Sequence, residues 1–150
     1  MKIYTASSWK NEHYEEIVRR LKQKHEVYDF RNAISSSGKE LAFNWDDIDR
    51  EWETWTSEQF LQSFKHPLAS NAFQSDFNGM LHSDVCLLIL PSGKSSHLEA
   101  GFMKGMGKKL IILLCEDGRP ELTYRIADMV TTQMDDVLHF LEKLEKEAIA

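Results

Sequence analysis

Hydrophobic and polar positions follow two periods along this chain. Lys2-Ile3-Tyr4-Thr5-Ala6 is a short β-rich run, followed by Ser7 and Ser8, residues that favour helix starts. Tyr14, Ile17, Val18 and Leu21 then recur at helical spacing, with Glu15, Glu16, Arg19, Arg20 and Lys22 outside that stripe. Residues 26–30 read as a second strand, so the chain opens with a strand–helix–strand unit. Val85-Cys86-Leu87-Leu88-Ile89-Leu90 and Leu110-Ile111-Ile112-Leu113-Leu114-Cys115 are apolar throughout, as strands covered on both faces must be. Between them a Gly-containing helix is expected over residues 96–107. Pro67 suits a helix start, and residues 68–81 carry apolar spacing through Ala72, Phe73, Phe77 and Met80. A short strand is expected near residues 129–131, and Val137, Phe140, Leu141 and Leu144 mark a closing helix. Strands alternating with helices specify an α/β fold, a parallel sheet with helices on both faces, in one domain spanning residues 1–150.

The middle of the chain departs from this rhythm. Ser35-Ser36-Ser37-Gly38 reads as a loop, and three of the 4 Trp residues, Trp45, Trp52 and Trp55, then fall among Asp46, Asp47, Asp49 and Glu51. Two readings stand side by side: a local hydrophobic cluster holding an irregular segment, or an aromatic lid against which a flat nucleobase stacks. Asp46, Asp47 and Asp49 read as a solvated face or as helix caps, with contact of one of them to a sugar or base as the alternative.

Composition narrows the function classes. With 18 Lys+Arg against 24 Asp+Glu the formal charge is −6, which argues against a nucleic-acid polymer as partner. Hydrophobic residues at 42% and charged residues at 28% exclude wholesale disorder. No apolar run approaches the ~20 residues that span a bilayer, so no membrane partner is expected. Residues 1–6 lack the apolar core of a signal peptide, and Cys86 and Cys115 sit in apolar runs without ligand-like spacing. Reduced, packed thiols and a cytoplasmic location are the expectation.

In open α/β sheets, ligands bind beyond the carboxyl ends of the strands, which directs attention to the loops after Ala6 and Leu90. Gly93-Lys94-Ser95 resembles the end of a phosphate loop, but the first Gly of that motif falls on Leu88, inside the strand. What remains is anion binding by helix-start N–H groups. His97-Leu98-Glu99 matches half of a zinc deaminase signature, and the Cys pair that completes it is missing, so no metal is expected. Ser96-His97-Leu98-Glu99 also has capping-box spacing, in which Glu99 folds back on the Ser96 backbone. Asp76 lies beside the apolar positions Phe73, Phe77 and Met80, either solvated at their margin or turned into a pocket where burial raises its pKa. Spacing alone leaves both carboxylates open.

Lys2-Ile3-Tyr4 with a small-residue turn to Trp9, then Asp76, Ser83-Asp84-Val85, and Gly93 to Gly101 containing Glu99, resemble the nucleoside 2-deoxyribosyltransferases and related nucleotide N-glycosidases. The resemblance covers the first strand and turn and about residues 73–112, with Gly107-Lys108-Lys109 leading into the next strand. It implies a flavodoxin- or Rossmann-like fold and cleavage of an N-glycosidic bond through a covalent sugar–enzyme intermediate. By this resemblance Glu99 is the nucleophile, Tyr4 orients its carboxylate, and Asp76 serves the base or its protonation. Substrate contacts fall to Ser7, Ser8, Trp9, Ser92, Gly93, Lys94, Ser95, Ser96 and His97, with Trp45 or Trp52 closing over the base. No metal or organic cofactor is required, and a homo-oligomer is implied.

The chain also departs from the family. Transferases carry an Asp six residues before the nucleophile, and here that position is Gly93. The loop Ser92-Gly93-Lys94-Ser95-Ser96 suits a 5′-phosphate instead, since hydroxyls, a cation and helix-start N–H groups all favour an anion. His97 beside the nucleophile is unusual for the family, and the resemblance gives it no role. The rival readings are a non-catalytic nucleotide-binding or sensing module of the same fold, and a regulatory protein that uses its Trp-rich segment as an interaction surface.

Overall fold

The two continuous apolar runs become adjacent central strands of a five-stranded sheet in the computed structural model, which describes residues 1–149. Its strands are β1 (Lys2–Ala6), β2 (Glu26–Tyr28), β3 (Val85–Leu90), β4 (Lys109–Leu114) and β5 (Met129–Thr131). They run all parallel in the order β2-β1-β3-β4-β5, so the chain reverses its direction of winding between β1 and β3. Every β3 residue is buried, which is why that run carries no alternation. The helices are α1 (Tyr14–Leu21), α2 (Ser57–Ser63), α3 (Pro67–His82), α4 (Lys94–Gly105) and α5 (Met134–Ile149). Among the described residues, no helix is long and apolar enough to cross a membrane.

Backbone contacts group the chain into two compact units, residues 1–28 with 80–150, and residues 29–79. In the first unit the sheet's pleat sorts side chains between two helical layers. Thr5 is fully buried, and its hydroxyl meets the Tyr14 hydroxyl of α1 at 2.7 Å and donates to the Tyr28 carbonyl at 2.7 Å. Arg20 of α1 pairs with Asp135 of α5 at 2.8 Å, so α1 and α5 share that face. One residue earlier, Tyr4 points to the opposite face and donates to Glu99 of α4. Right-handed crossovers produce this division, because β1 to β2 and β3 to β4 wind in opposite directions across the sheet. Gly107 ends α4 at φ +83°, a conformation that leaves Lys108 N–H on the Met103 carbonyl and Gly107 N–H on the Lys104 carbonyl. The Lys108 ammonium then donates to the Met80, Leu81 and Ser83 carbonyls and ties down the end of α3.

Several boundaries differ from the sequence expectation. Ser7 and Ser8 do not start α1, which begins at Tyr14 after His13. The intervening turn is instead stitched to the end of β3: Ser7 donates to the Ile89 carbonyl at 2.9 Å, and Asn11 Nδ2 donates to Ile89 and Pro91 carbonyls at 3.3 and 3.1 Å. β2 stops at Tyr28 rather than residue 30, because the Asp29 carboxylate accepts from Arg31 N–H and caps a 3₁₀ turn, Phe30–Asn32. The helix expected over residues 96–107 begins two residues earlier, at Lys94.

The second unit is built on aromatic edges. Trp45 packs edge-on against Phe43, Trp55 and Phe60 at centroid distances of 5.0, 5.8 and 5.8 Å. The indole N–H of Trp52 donates to Asp46 at 2.7 Å and that of Trp55 to Asp49 at 2.8 Å. These bonds account for the acidic residues interleaved with Trp: they satisfy donors that a cluster of indoles brings with it. Thr56 and Gln59 form a reciprocal capping box at the start of α2.

One buried histidine sets a pH dependence. The His25 side chain is 3% exposed, with Glu145 of α5 at 3.2 Å from Nδ1. Burial holds its pKa below the ordinary 6.5, and Glu145 pulls the other way. As pH falls below 6.5 the unfolded chain takes up this proton before the folded one, so stability declines through the lowered folded value. Urea midpoints of the wild type are expected to fall between neutral pH and pH 5, and His25→Gln to flatten that slope; parallel slopes would assign the loss to other groups.

Candidate active site

Tyr4 and Glu99, joined by a hydrogen bond, form the centre of the candidate site. Tyr4 stands in β1, is 1% exposed, and lies between Tyr28 and Cys86 in the sheet register. Its ring stacks on Tyr28, with centroids 5.1 Å apart and planes 6° from parallel. This stack directs the phenol toward α4, where its hydroxyl donates to the Glu99 carboxylate. Glu99 is half-buried in the second turn of α4. A hydrogen bond donated to a carboxylate favours its ionised form and limits its rotation. Beneath the pair, burial and then the Glu99 charge push the Cys86 thiol up, so it stays protonated and packs as an apolar group.

The capping-box alternative for Glu99 is overturned by where α4 begins. Gly93 is the N-cap and contributes no side chain, which places Ser96 inside the first turn. Ser96 is 2% exposed, donates to the Gly93 carbonyl at 2.8 Å and meets the Ser92 hydroxyl at 2.6 Å. The Glu99 side chain is therefore held by another element of the fold. Lys94 and Ser95 are exposed at the start of α4, beside a shallow recess of about 560 Å³ that Ser92, Gly93, Lys94, His97 and Leu98 line.

The remaining expected residues fall on several elements. Ser7 is bound to the Ile89 carbonyl, Ser8 accepts from Lys10 N–H at 3.1 Å, and Trp9 is 45% exposed in the same turn. His97 turns to the other flank of α4, since two residues correspond to about 200° around a helix axis. Its Nδ1 lies 2.6 Å from the Gly93 carbonyl and its Nε2 2.8 Å from the Tyr124 hydroxyl. Asp76, half-buried on α3, and Trp45 belong to the second unit. Among the described residues, no three His, Cys, Asp or Glu side chains are grouped to hold a metal ion.

Sequence reasoning missed three residues that shape the site: Tyr28, the stacking partner of Tyr4; Asn11, which binds the loop after β1 to the loop after β3; and Tyr124, which engages His97. Only Asn11 carried a signal, an Asn three residues before the helix, and its Oδ1 accepts from His13 N–H at 2.8 Å.

No protein-family model and no curated protein sequence matches the chain. Solved structures do. A 2-deoxyribosyltransferase from the psychrotolerant bacterium Bacillus psychrosaccharolyticus superposes with a TM-score of 0.58 at 18% identity, over 91% of this chain and 90% of that one. The Clostridium botulinum CMP N-glycosidase BcmB superposes with a TM-score of 0.51 at 16% identity, over 95% of this chain and 99% of that one. At these identities the likeness establishes a shared flavodoxin- or Rossmann-like α/β fold across most of the chain.

Proposed function

We propose that this protein is an enzyme that breaks, or exchanges across, the N-glycosidic bond of a small nucleoside or nucleoside 5′-monophosphate, with Glu99 as nucleophile. The observation that carries this reading is the Tyr4 hydroxyl donating to a half-buried Glu99 carboxylate. The fold is shared with a 2-deoxyribosyltransferase and a CMP N-glycosidase, which supports the same reaction class.

A Glu99 oxygen attacks the anomeric carbon as the carbon–nitrogen bond breaks, and its electron pair leaves with the base. Positive charge builds on the sugar in the transition state, and the carboxylate both stabilises that charge and forms the ester. The departing base needs a proton, and Asp76 is the acid assigned to deliver it. Water, or a second base, then attacks the same carbon and frees Glu99. Tyr4 holds one Glu99 oxygen and so orients the carboxylate. The hydroxyls of Ser92 and Ser95, the ammonium of Lys94 and the N–H groups opening α4 suit a 5′-phosphate, while the buried Ser96 hydroxyl is spent on the Gly93 carbonyl. A cytoplasmic homo-oligomer acting on a small molecule completes the proposal.

Incubation with a panel of nucleosides and 5′-monophosphates, followed by chromatography for free base, tests the reaction. Release of base from at least one member is expected, and a ligand that stabilises the fold without turnover would identify a binding module. Tyr4→Phe should lower kcat about 10- to 100-fold while KM changes little, because the hydroxyl acts on the nucleophile rather than on substrate binding. An unchanged kcat in that variant would remove Tyr4 from the mechanism.

A further inference from the structure

A cleft of about 1040 Å³ opens on the flank of α4 turned away from Glu99, sharing only Ser92 and His97 with the recess at the start of α4. Its floor comes from alternate residues of two central strands, Leu88 and Leu90 of β3 with Leu110, Ile112 and Leu114 of β4. These positions share one face of the sheet, so the pleat makes the floor apolar. Ala100 and Gly101 of α4 form one wall. Gly101 is exposed, and a Cβ built on it meets nothing within 4 Å. The opposite wall is the 3₁₀ turn Leu122–Ile126.

The two walls are joined by His97 and Tyr124. A carbonyl only accepts, so His97 Nδ1 carries the proton toward Gly93 and Nε2 accepts from the Tyr124 hydroxyl. The rings lie 5.7 Å apart and 21° from parallel, a polar and aromatic strut across the opening. Burial, then the Glu121 charge, raise the Tyr124 hydroxyl, which keeps it a donor. Around the mouth stand Glu116, Asp117 and Glu121 against Arg119. The rim therefore carries an excess of negative charge over an apolar interior, and the size matches the upper range of small-molecule sites, ~300–1,000 Å³.

We infer that this cleft is a second ligand site, taking a small apolar molecule that carries a positive charge, such as an arylalkylammonium ion. The apolar body lies against Leu114, Tyr124, Ile126 and Gly101, above the buried strand residues, and the ammonium faces the carboxylates at the mouth. Anionic nucleotides are disfavoured there, which separates this site from the phosphate-compatible start of α4. The inference stands independently of the role assigned to Glu99.

The test uses the full chain and two probes of similar shape, 2-phenylethylammonium and 3-phenylpropionate. Each is titrated while backbone amide resonances of Gly101, Gly118 and Tyr124 are followed by NMR. Saturable shifts are expected with the ammonium probe at a Kd near or below about 1 mM, and binding about 5- to 10-fold weaker with the carboxylate probe. That preference should shrink as salt is raised, since the rim charges are exposed. Gly101→Leu fills the cleft from the helix side while improving helix propensity, and is expected to abolish the shifts. The double variant Asp117→Asn with Glu121→Gln changes only exposed rim residues, and should reduce the ammonium preference to about 2-fold or less. Absence of saturable shifts, equal binding of both probes to the wild type, or an unaltered preference in the double variant would each overturn the inference.

Discussion

Glu99→Gln is expected to leave a folded protein that releases base at least about a thousandfold more slowly than the wild type. Gln has nearly the same shape and retains a carbonyl oxygen, so the Tyr4 hydroxyl still has an acceptor and α4 keeps its position. What disappears is the negative charge, and with it the ability to bond the anomeric carbon. Stability should change little, because α4 is capped at Gly93 and Glu99 plays no part in its start. Base release is read by chromatography and folding by the urea midpoint on the same preparation. Turnover within about tenfold of the wild type would reject the nucleophile assignment, and a collapsed midpoint would show that the carboxylate is structural.

The largest effect on stability is expected at Leu87. This residue is fully buried in β3, with Thr5 of β1 and Ile111 of β4 as its register partners. It points to the face covered by α1 and α5, where the Thr5–Tyr14 hydrogen bond fixes the neighbouring side chains. Leu87→Ala removes three carbons from a site whose walls are strands and cannot collapse, at a cost of about 3–4 kcal/mol. The urea midpoint should fall without a change in the m-value. Leu122→Ala provides the contrast: that side chain is 81% exposed, and its removal should stay within about 0.5 kcal/mol. Equal losses at the two positions would mean that the core is not organised around β3.

Much of the sheet was legible because central parallel strands must be apolar on both faces. Residues 85–90 and the short strand at 129–131 appear in the structure where the pattern places them, and Pro67 opens a helix as its fixed φ favours. The misread boundaries share a cause. Ser7, Ser8 and Asp29 are residues whose side chains bond nearby backbone, and local spacing does not reveal which backbone they choose. Ser7 reaches across to Ile89, 82 positions away, and Asp29 turns forward to Arg31. The aromatic cluster of the second unit was legible as a candidate, and its acid residues gained a purpose only once indole N–H groups were seen to need acceptors.

By itself the order of apolar and polar residues determined the strand–helix alternation and directed attention to the loops after Ala6 and Leu90, because burial depends on periodicity that any reader of the chain can count. It left Glu99 divided between a helix cap and a functional carboxylate, since three-residue spacing is common to both. Tertiary structure removed the helix-cap reading by starting α4 at Gly93, and it delivered the Tyr4 hydroxyl to the carboxylate from 95 positions earlier in the chain. It likewise sent His97 to the far flank of α4 and opened a cleft there from residues of two strands, a helix and a 3₁₀ turn. A contact between distant segments depends on sheet order, pleat and crossover handedness together, and no window of adjacent residues contains all three.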